Sequence, residues 1–342
     1  MNSFERVHNL VAGEPVDHLP AMPIFMIWAA QRGGRSRPHG VSYADYVRDY
    51  RVLCDCQLRL LDEFAPDVVQ LISDPYRETA DAGAELQYYD DGPPRCLQPP
   101  LADKSRLAHL KLPDPLGGGR MTDRVRGAAY LQERVGGQVP IMGWIEGPIA
   151  QAVDLRGMTA FMLDTVDDAA FVAELFEWAT ELARSFALAQ IEAGCDLIGL
   201  GDAAASLTSA RVYEELVLPR EQRLVQAIHA AGALARLHIC GNTTHLLPLM
   251  ARTGCDIIDL DHLVPIEQAR EQLGEAPIIL GNFDPVAVLL KGTPGQVRSW
   301  CERCHRACGD RHIVGAGCEV PPATPEANVR AMMDYAQAAR SS

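Results

Sequence analysis

Residues 234–242 read LARLHICGN. The run 234–240 is short, rich in apolar residues and closed by Gly241 and Asn242, which predicts a β-strand ended by a turn. His238 and Cys240 lie two apart at its end, and on a strand residues i and i+2 point to one face. Whether that face is packed core or the edge of a metal site depends on where the strand sits in the fold.

Similar runs recur near 20–25 (PAMPIF), 67–72 (DVVQLI), 139–145 (VPIMGWI), 196–201 (DLIGLG), 256–260 (DIIDL), 277–281 (PIILG) and 311–315 (RHIVG). Continuous apolar runs suit strands covered on both faces, as in a parallel sheet. Helical segments lie between them. Residues 165–193 carry Phe171, Leu175, Trp178, Leu182 and Phe186 at helical spacing, and Gly194 ends the run. Thr293-Pro294 and Thr324-Pro325 each pair a capping threonine with a proline at the first helical position. Eight strands alternating with helices predict an α/β fold, a single (β/α)₈ TIM barrel spanning residues 1–342. The rival is a doubly wound open sheet, but no G-x-G-x-x-G follows the first strand. Residues 75–120, rich in Gly and Pro, read as an insertion after the second strand, with a small hairpin around AELQYYDDGPPRCL.

Bulk composition narrows the class. The 342 residues include 45 acidic and 31 basic side chains, a net charge of −14 that disfavours nucleic acid, which needs a clustered basic surface. No apolar run approaches the roughly 20 residues of a membrane helix. The opening MNSFERVHNL has no signal-peptide pattern, so the ten cysteines are expected to be reduced thiols in the cytoplasm.

Barrel enzymes build their sites at the C-terminal ends of the strands. Those ends supply Asp74, Glu146, Asp202, His238, Cys240, Asp259, Asp261, His262, Asn282 and Cys318. Acidic residues there also serve as helix caps. His238 and Cys240 are both good zinc ligands, and a catalytic zinc takes three protein ligands with a fourth position open. The bland alternative is two core residues. Cys318, in the Gly-flanked turn GAGCE just past the eighth strand, is a candidate third ligand. The competing cluster CERCHRAC (301–308) contains a C-x-x-C-H pattern similar to a haem attachment site. Val297, Cys301, Cys304 and Cys308 instead follow the spacing of a buried helix stripe, and Cys54 and Cys56 also read as structural.

With these residues in view, the chain resembles the uroporphyrinogen decarboxylase superfamily over nearly its whole length. ERVHNLVAGEPVDHLP is similar to the family's opening, and EGPIAQAVDLRG to its Gly-Pro segment after strand 3. GDAAASLTSARVYEELVLPREQRLVQAIHAAG resembles the strand-4 Asp and its proline-containing helix, while GNFDP and PPATPEANVRAMMDYA resemble the strand-7 turn and last helix. The resemblance implies the same eight-stranded barrel. In the decarboxylase branch, metal-free, an arginine loop follows strand 1, an Asp follows strand 2 and a histidine sits in the turn after strand 8. Here AAQRGGR matches that loop only through Arg32 and Arg35, Asp74 fits the strand-2 Asp, and Cys318 stands where the histidine would be. The corrinoid-dependent methyltransferase branch, methylcobamide:coenzyme M methyltransferases among them, binds zinc through His-x-Cys and a later Cys. His238, Cys240 and Cys318 match all three positions.

That branch implies a zinc-dependent transfer of a methyl group between a methylcobamide corrinoid and a zinc-activated thiol such as coenzyme M. A free thiol is mostly protonated at neutral pH, and metal binding deprotonates it. Glu146, Asp202 and Asp74 are the catalytic candidates; Glu146 or Asp202 is expected to fill the fourth zinc position, bond His238 or take a proton. The corrinoid (methylcobalamin as co-substrate) is expected on a separate protein partner. Two alternatives stay open: a zinc enzyme passing the methyl of a methoxy compound to cobalt(I), and metal-free uroporphyrinogen decarboxylation.

Overall fold

The computed structural model describes residues 1–339. Seven strands form one parallel sheet: β1 (Val69–Gln70), β4 (Ile141–Glu146), β5 (Leu197–Gly201), β6 (Leu234–Ile239), β7 (Ile257–Leu260), β8 (Ile278–Leu280) and β9 (His312–Ile313), adjacent in that order. Apart from half-buried Leu234, every residue in them is buried. This is why they read as unbroken apolar runs: helices on the outside and packed side chains on the inside leave neither face to water.

The run 20–25 does not form a strand. It makes a single parallel bridge, Ala21 to Val314. Met22 N–H donates to the Val314 carbonyl (3.0 Å), Val314 N–H to Pro20 (2.9 Å), and on the other side Asp67 N–H to Ala21 (2.8 Å). Pro20 and Pro23 lack the N–H groups that would extend either ladder, so pairing stops after one residue. Between β1 and the helix Arg120–Val135 come the short helix Arg77–Asp81, an antiparallel hairpin of β2 (Glu85–Gln87) and β3 (Arg95–Gln98), and a 3₁₀ turn, Lys104–His109. The hairpin falls where the sequence placed it.

The helical run expected over 165–193 is two helices, Met158–Asp167 and Ala169–Glu192. Asp168 breaks it by accepting from Phe171 N–H (3.1 Å), as a capping aspartate does, and Lys104 lies 2.7 Å from its other oxygen. The helix Pro294–Cys308 begins with a capping box between Thr293 and Gln296. Thr324 does not cap the last helix, Glu326–Ala338; its hydroxyl turns back to the Pro321 carbonyl (2.7 Å). No helix among the described residues is long and apolar enough to cross a membrane.

Register across the sheet sets the site. Glu146 pairs with Gly201, Gly201 with His238, and His238 with Asp259, one row at the C-terminal ends of four strands. One row beneath, Trp144 pairs with Gly199 and Gly199 with Arg236. The Trp144 ring lies across both glycines; a Cβ at Gly199 would stand 2.2 Å from it and one at Gly201 2.8 Å. Two glycines in one strand thus let an indole form the floor of the mouth.

Candidate metal centre

Strand β6 turns Arg236, His238 and the following Cys240 toward the interior, and Cys318 enters from the turn after β9. The donor atoms of His238, Cys240 and Cys318 lie within 4.8 Å of one another. Nε2 of His238 is 3.2 Å from Sγ of Cys240 and 4.0 Å from Sγ of Cys318. Ligands around a tetrahedral zinc, with Zn–S about 2.3 Å and Zn–N about 2.0 Å, stand roughly 3.5–3.8 Å apart. The three donors lie close enough to hold such an ion after side-chain adjustment.

Charge within the cluster points the same way. Burial disfavours an imidazolium, but Asp259 and then Cys240 hold His238 well above its ordinary value. The hydrogen bond from Cys240, and then His238, bring the Cys318 thiol down to about 4, while the same bond and burial push Cys240 up. Without a metal the cluster therefore holds a thiolate beside an imidazolium; a soft metal taking neutral His238 through Nε2 would displace that proton and keep the thiolate. The histidine is also oriented for it. Nδ1 lies 2.8 Å from Oδ2 of Asp259, which leaves Nε2 as the ligand nitrogen. Asp259 is itself held by Arg236 (2.6 Å), whose guanidinium is wholly buried and lies 6.0 Å from the Trp144 ring.

The cluster forms one wall of a cavity of about 170 Å³. Ile24, Met26, Ile72, Pro75 and Trp144 give it an apolar surface, and Asp74, Glu146 and Glu319 add carboxyls. Arg120 grips both oxygens of Asp74 (2.8 and 2.7 Å) and, against the burial penalty, keeps it well below the usual carboxylate range. Glu146 accepts from Arg77 Nη2 (2.6 Å), yet burial outweighs that pairing and pushes it up to about 8. Burial likewise lifts Glu319 to about 7, although it accepts from Ile27 N–H (2.9 Å).

Of the acidic candidates, the structure brings Glu146 and Asp74 to the cavity and sends Asp202 elsewhere. Asp202 Oδ1 accepts from Ile149 and Ala150 N–H (3.1 and 2.7 Å), capping the helix Pro148–Arg156, and the carboxyl adjoins Glu221, which accepts from the Tyr213 hydroxyl. Gly147 makes room for it, since a Cβ there would stand 2.3 Å from Asp202 Cγ. The expectation that Asp202 reaches the metal is corrected by this geometry. Asp261 and Asn282 hold loops, through Gly241 N–H (2.8 Å) and the Asp261 and Val264 carbonyls. His262 lies 3.1 Å from Asp261.

Arg32 and Arg35 do not line the cavity. Arg32 pairs with Glu63 and Glu326 and lies over Trp28 and Phe64; Arg35 pairs with Asp62. Val297, Cys301, Cys304 and Cys308 are all buried, as a packing stripe is; Cys54 and Cys56 are buried too. Sequence reasoning missed Arg236, Arg77 and Arg120, and gave Asp259 no role. Arg236 carried a signal: it shares the inward face with His238 and Cys240, and a charge inside a barrel demands a partner on the next strand.

Comparison with known proteins places these features. Residues 2–339 match the uroporphyrinogen decarboxylase (URO-D) family profile. A methylcobamide:CoM methyltransferase (MtbA) of Methanosarcina mazei is 34% identical over 225 residues, which are 65% of this chain and 65% of that protein. A uroporphyrinogen decarboxylase of Frankia casuarinae is 27% identical over 312 residues, 87% of this chain and 82% of that one. A solved methyltransferase structure from Methanosarcina mazei superposes with a TM-score of 0.88 over 98% of both chains at 23% identity, so the fold is shared.

Proposed function

This chain belongs to the uroporphyrinogen decarboxylase family, and from that footing we propose that it is a methyltransferase, moving a methyl group between a corrinoid and a small thiol at a zinc ion held by His238, Cys240 and Cys318. The observation that carries the reading is the convergence of one imidazole and two thiols on a cavity at the strand ends. The decarboxylase alternative needs a cationic clamp for a polycarboxylate. The two candidate arginines are occupied by Glu63, Glu326 and Asp62.

A zinc ion bound there would act as the Lewis acid that keeps a substrate thiol deprotonated. Asp259 orients His238, and the apolar wall of Ile24, Met26, Ile72 and Trp144 excludes water around the sulfur. Glu146 lies in the cavity wall where it can exchange a proton with the substrate, its carboxyl raised by burial to about 8. In the transfer the sulfur–methyl bond forms and the cobalt–methyl bond breaks, its electron pair staying on cobalt, which goes from Co(III) to Co(I). A cavity of about 170 Å³ falls below the roughly 300–1,000 Å³ of drug-sized sites, so a corrin is presented at the mouth, on a separate protein. We further propose that the sheet closes through Ala21 as a single eight-stranded barrel across the described residues, with about 75–120 inserted after its second strand. The bonds on both sides of Ala21 support this. The ten unpaired cysteines suit the cytoplasm.

Metal analysis tests the site. Purified protein should carry about one zinc per chain, and Cys318→Ala should lose it while staying folded. Full zinc occupancy in that variant refutes the ligand assignment. Failure of the zinc-loaded protein to demethylate methylcobalamin with any thiol refutes the activity.

A further inference from the structure

The methyltransferase relative is named for CoM, a thiol that bears a sulfonate. The cavity of this chain is built against such an anion. Among the described residues that line it there is no lysine or arginine, whereas Asp74, Glu146 and Glu319 all face it. Two guanidiniums stand behind the wall, and both are matched. Arg77 is fully buried, donating to Glu146 and to the Asp74 carbonyl with Glu78 3.6 Å from Nε. Arg120 gives one donor to each oxygen of Asp74 and another to the Val47 carbonyl.

Three soft donors, two of them thiolates, also leave a bound zinc with no net positive charge. An anion entering this space loses its hydration and finds no cationic side chain in return, which is an expensive arrangement in an apolar cavity. A hydroxyl or an ammonium meets the opposite situation. Arg77 takes Oε1 of Glu146 and Ile27 takes Oε1 of Glu319; among the described residues no hydrogen bond reaches either Oε2. Those two oxygens can receive a donor from the substrate.

We propose that the small-molecule partner in methyl transfer is an uncharged or cationic thiol of a few carbons, and that anionic thiols are rejected by the cavity's lack of a basic side chain. This rests on the methyltransferase reading and narrows it. The test uses three thiols with one two-carbon frame: 2-mercaptoethanol, 2-aminoethanethiol and 2-mercaptoethanesulfonate. Each is titrated calorimetrically into the zinc-loaded protein, and each is assayed for demethylation of methylcobalamin. The neutral and cationic thiols should bind, and react by kcat/KM, at least about tenfold better than the sulfonate, as an uncompensated loss of hydration requires. Met26→Lys, which adds a cation to a partly exposed wall position, should narrow that gap. Equal or tighter binding of the sulfonate, or no discrimination among the three, overturns the proposal. If the binding order holds while no thiol is methylated, the charge inference stands and the methyltransferase reading falls.

Discussion

Asp259 serves two side chains with different needs. Arg236 needs its charge, because a wholly buried guanidinium 2.6 Å away has no other carboxylate among the described contacts; His238 needs its acceptor, to keep Nε2 free for a ligand. Asp259→Asn keeps the shape and removes the charge. It should weaken zinc binding roughly 10–100-fold, read by chelator competition, and lower stability by about 3–5 kcal/mol, read by urea unfolding. Unchanged zinc affinity beside lost stability would mean that Asp259 serves Arg236 alone. Glu221 offers a pH test. Burial raises it to about 7, so the folded state keeps a proton that the unfolded chain, with a glutamate near 4.3, releases. Stability contributed by this group is therefore full below about pH 4 and is lost as pH rises toward 7. Glu221→Gln cannot titrate, and its melting temperature should fall less steeply between pH 4.5 and 7 (about 1.4 kcal/mol per pH unit for one group) than that of the parent. Equal slopes would place the proton elsewhere, on Asp202.

The helix Pro294–Cys308 shows what a single element makes legible. Val297, Cys301, Cys304 and Cys308 recur at helical spacing, and all four prove buried, so the C-x-x-C-H pattern is a by-product of that stripe. Cys301→Ser places a hydroxyl in this seam. The variant should melt earlier, at a cost of about 1–3 kcal/mol, yet keep its zinc and activity; loss of a metal equivalent would mean that the wrong cysteines were chosen as ligands. Other elements were less readable. Pro20 and Pro23 sit in an apolar run, and apolarity outweighed the missing N–H groups until the ladder was in view. Asp168 looked like one polar residue within a long helix and is a cap. Asp202 and Glu146 look alike as acids at strand ends. Only the direction of the side chain separates a cap on Ile149 and Ala150 from a wall of the cavity.

At the scale of the whole molecule, alternation of strands and helices was enough to find the parallel sheet, and the strand ends were enough to find His238, Cys240 and Cys318. What stayed hidden was the cross-strand partnership: Arg236 with Asp259, Arg120 with Asp74 and Arg77 with Glu146 join residues 23, 46 and 69 positions apart, and only register and loop path bring them together. These pairings bear on the choice between family activities. With Arg32 and Arg35 tied to surface carboxylates and no basic residue lining the cavity among those described, the protein should not convert uroporphyrinogen to coproporphyrinogen. Porphyrin formation at ordinary enzyme rates, followed by fluorescence after oxidation, would reverse the assignment.

The bridge between Ala21 and Val314 also has a consequence in time. A ribosome delivers the chain from the N-terminus at about 5–20 residues per second, so Ala21 waits for its partner until the long stretch up to Val314 has emerged. In that interval the amide row on the late side of 20–22 has nothing to pair with, which is the condition under which strand edges recruit other chains. Prolines at 20 and 23 shorten the unpaired row to a single usable residue. The interruptions that deny this segment a full strand in the finished protein thus leave the nascent one less backbone to offer another chain.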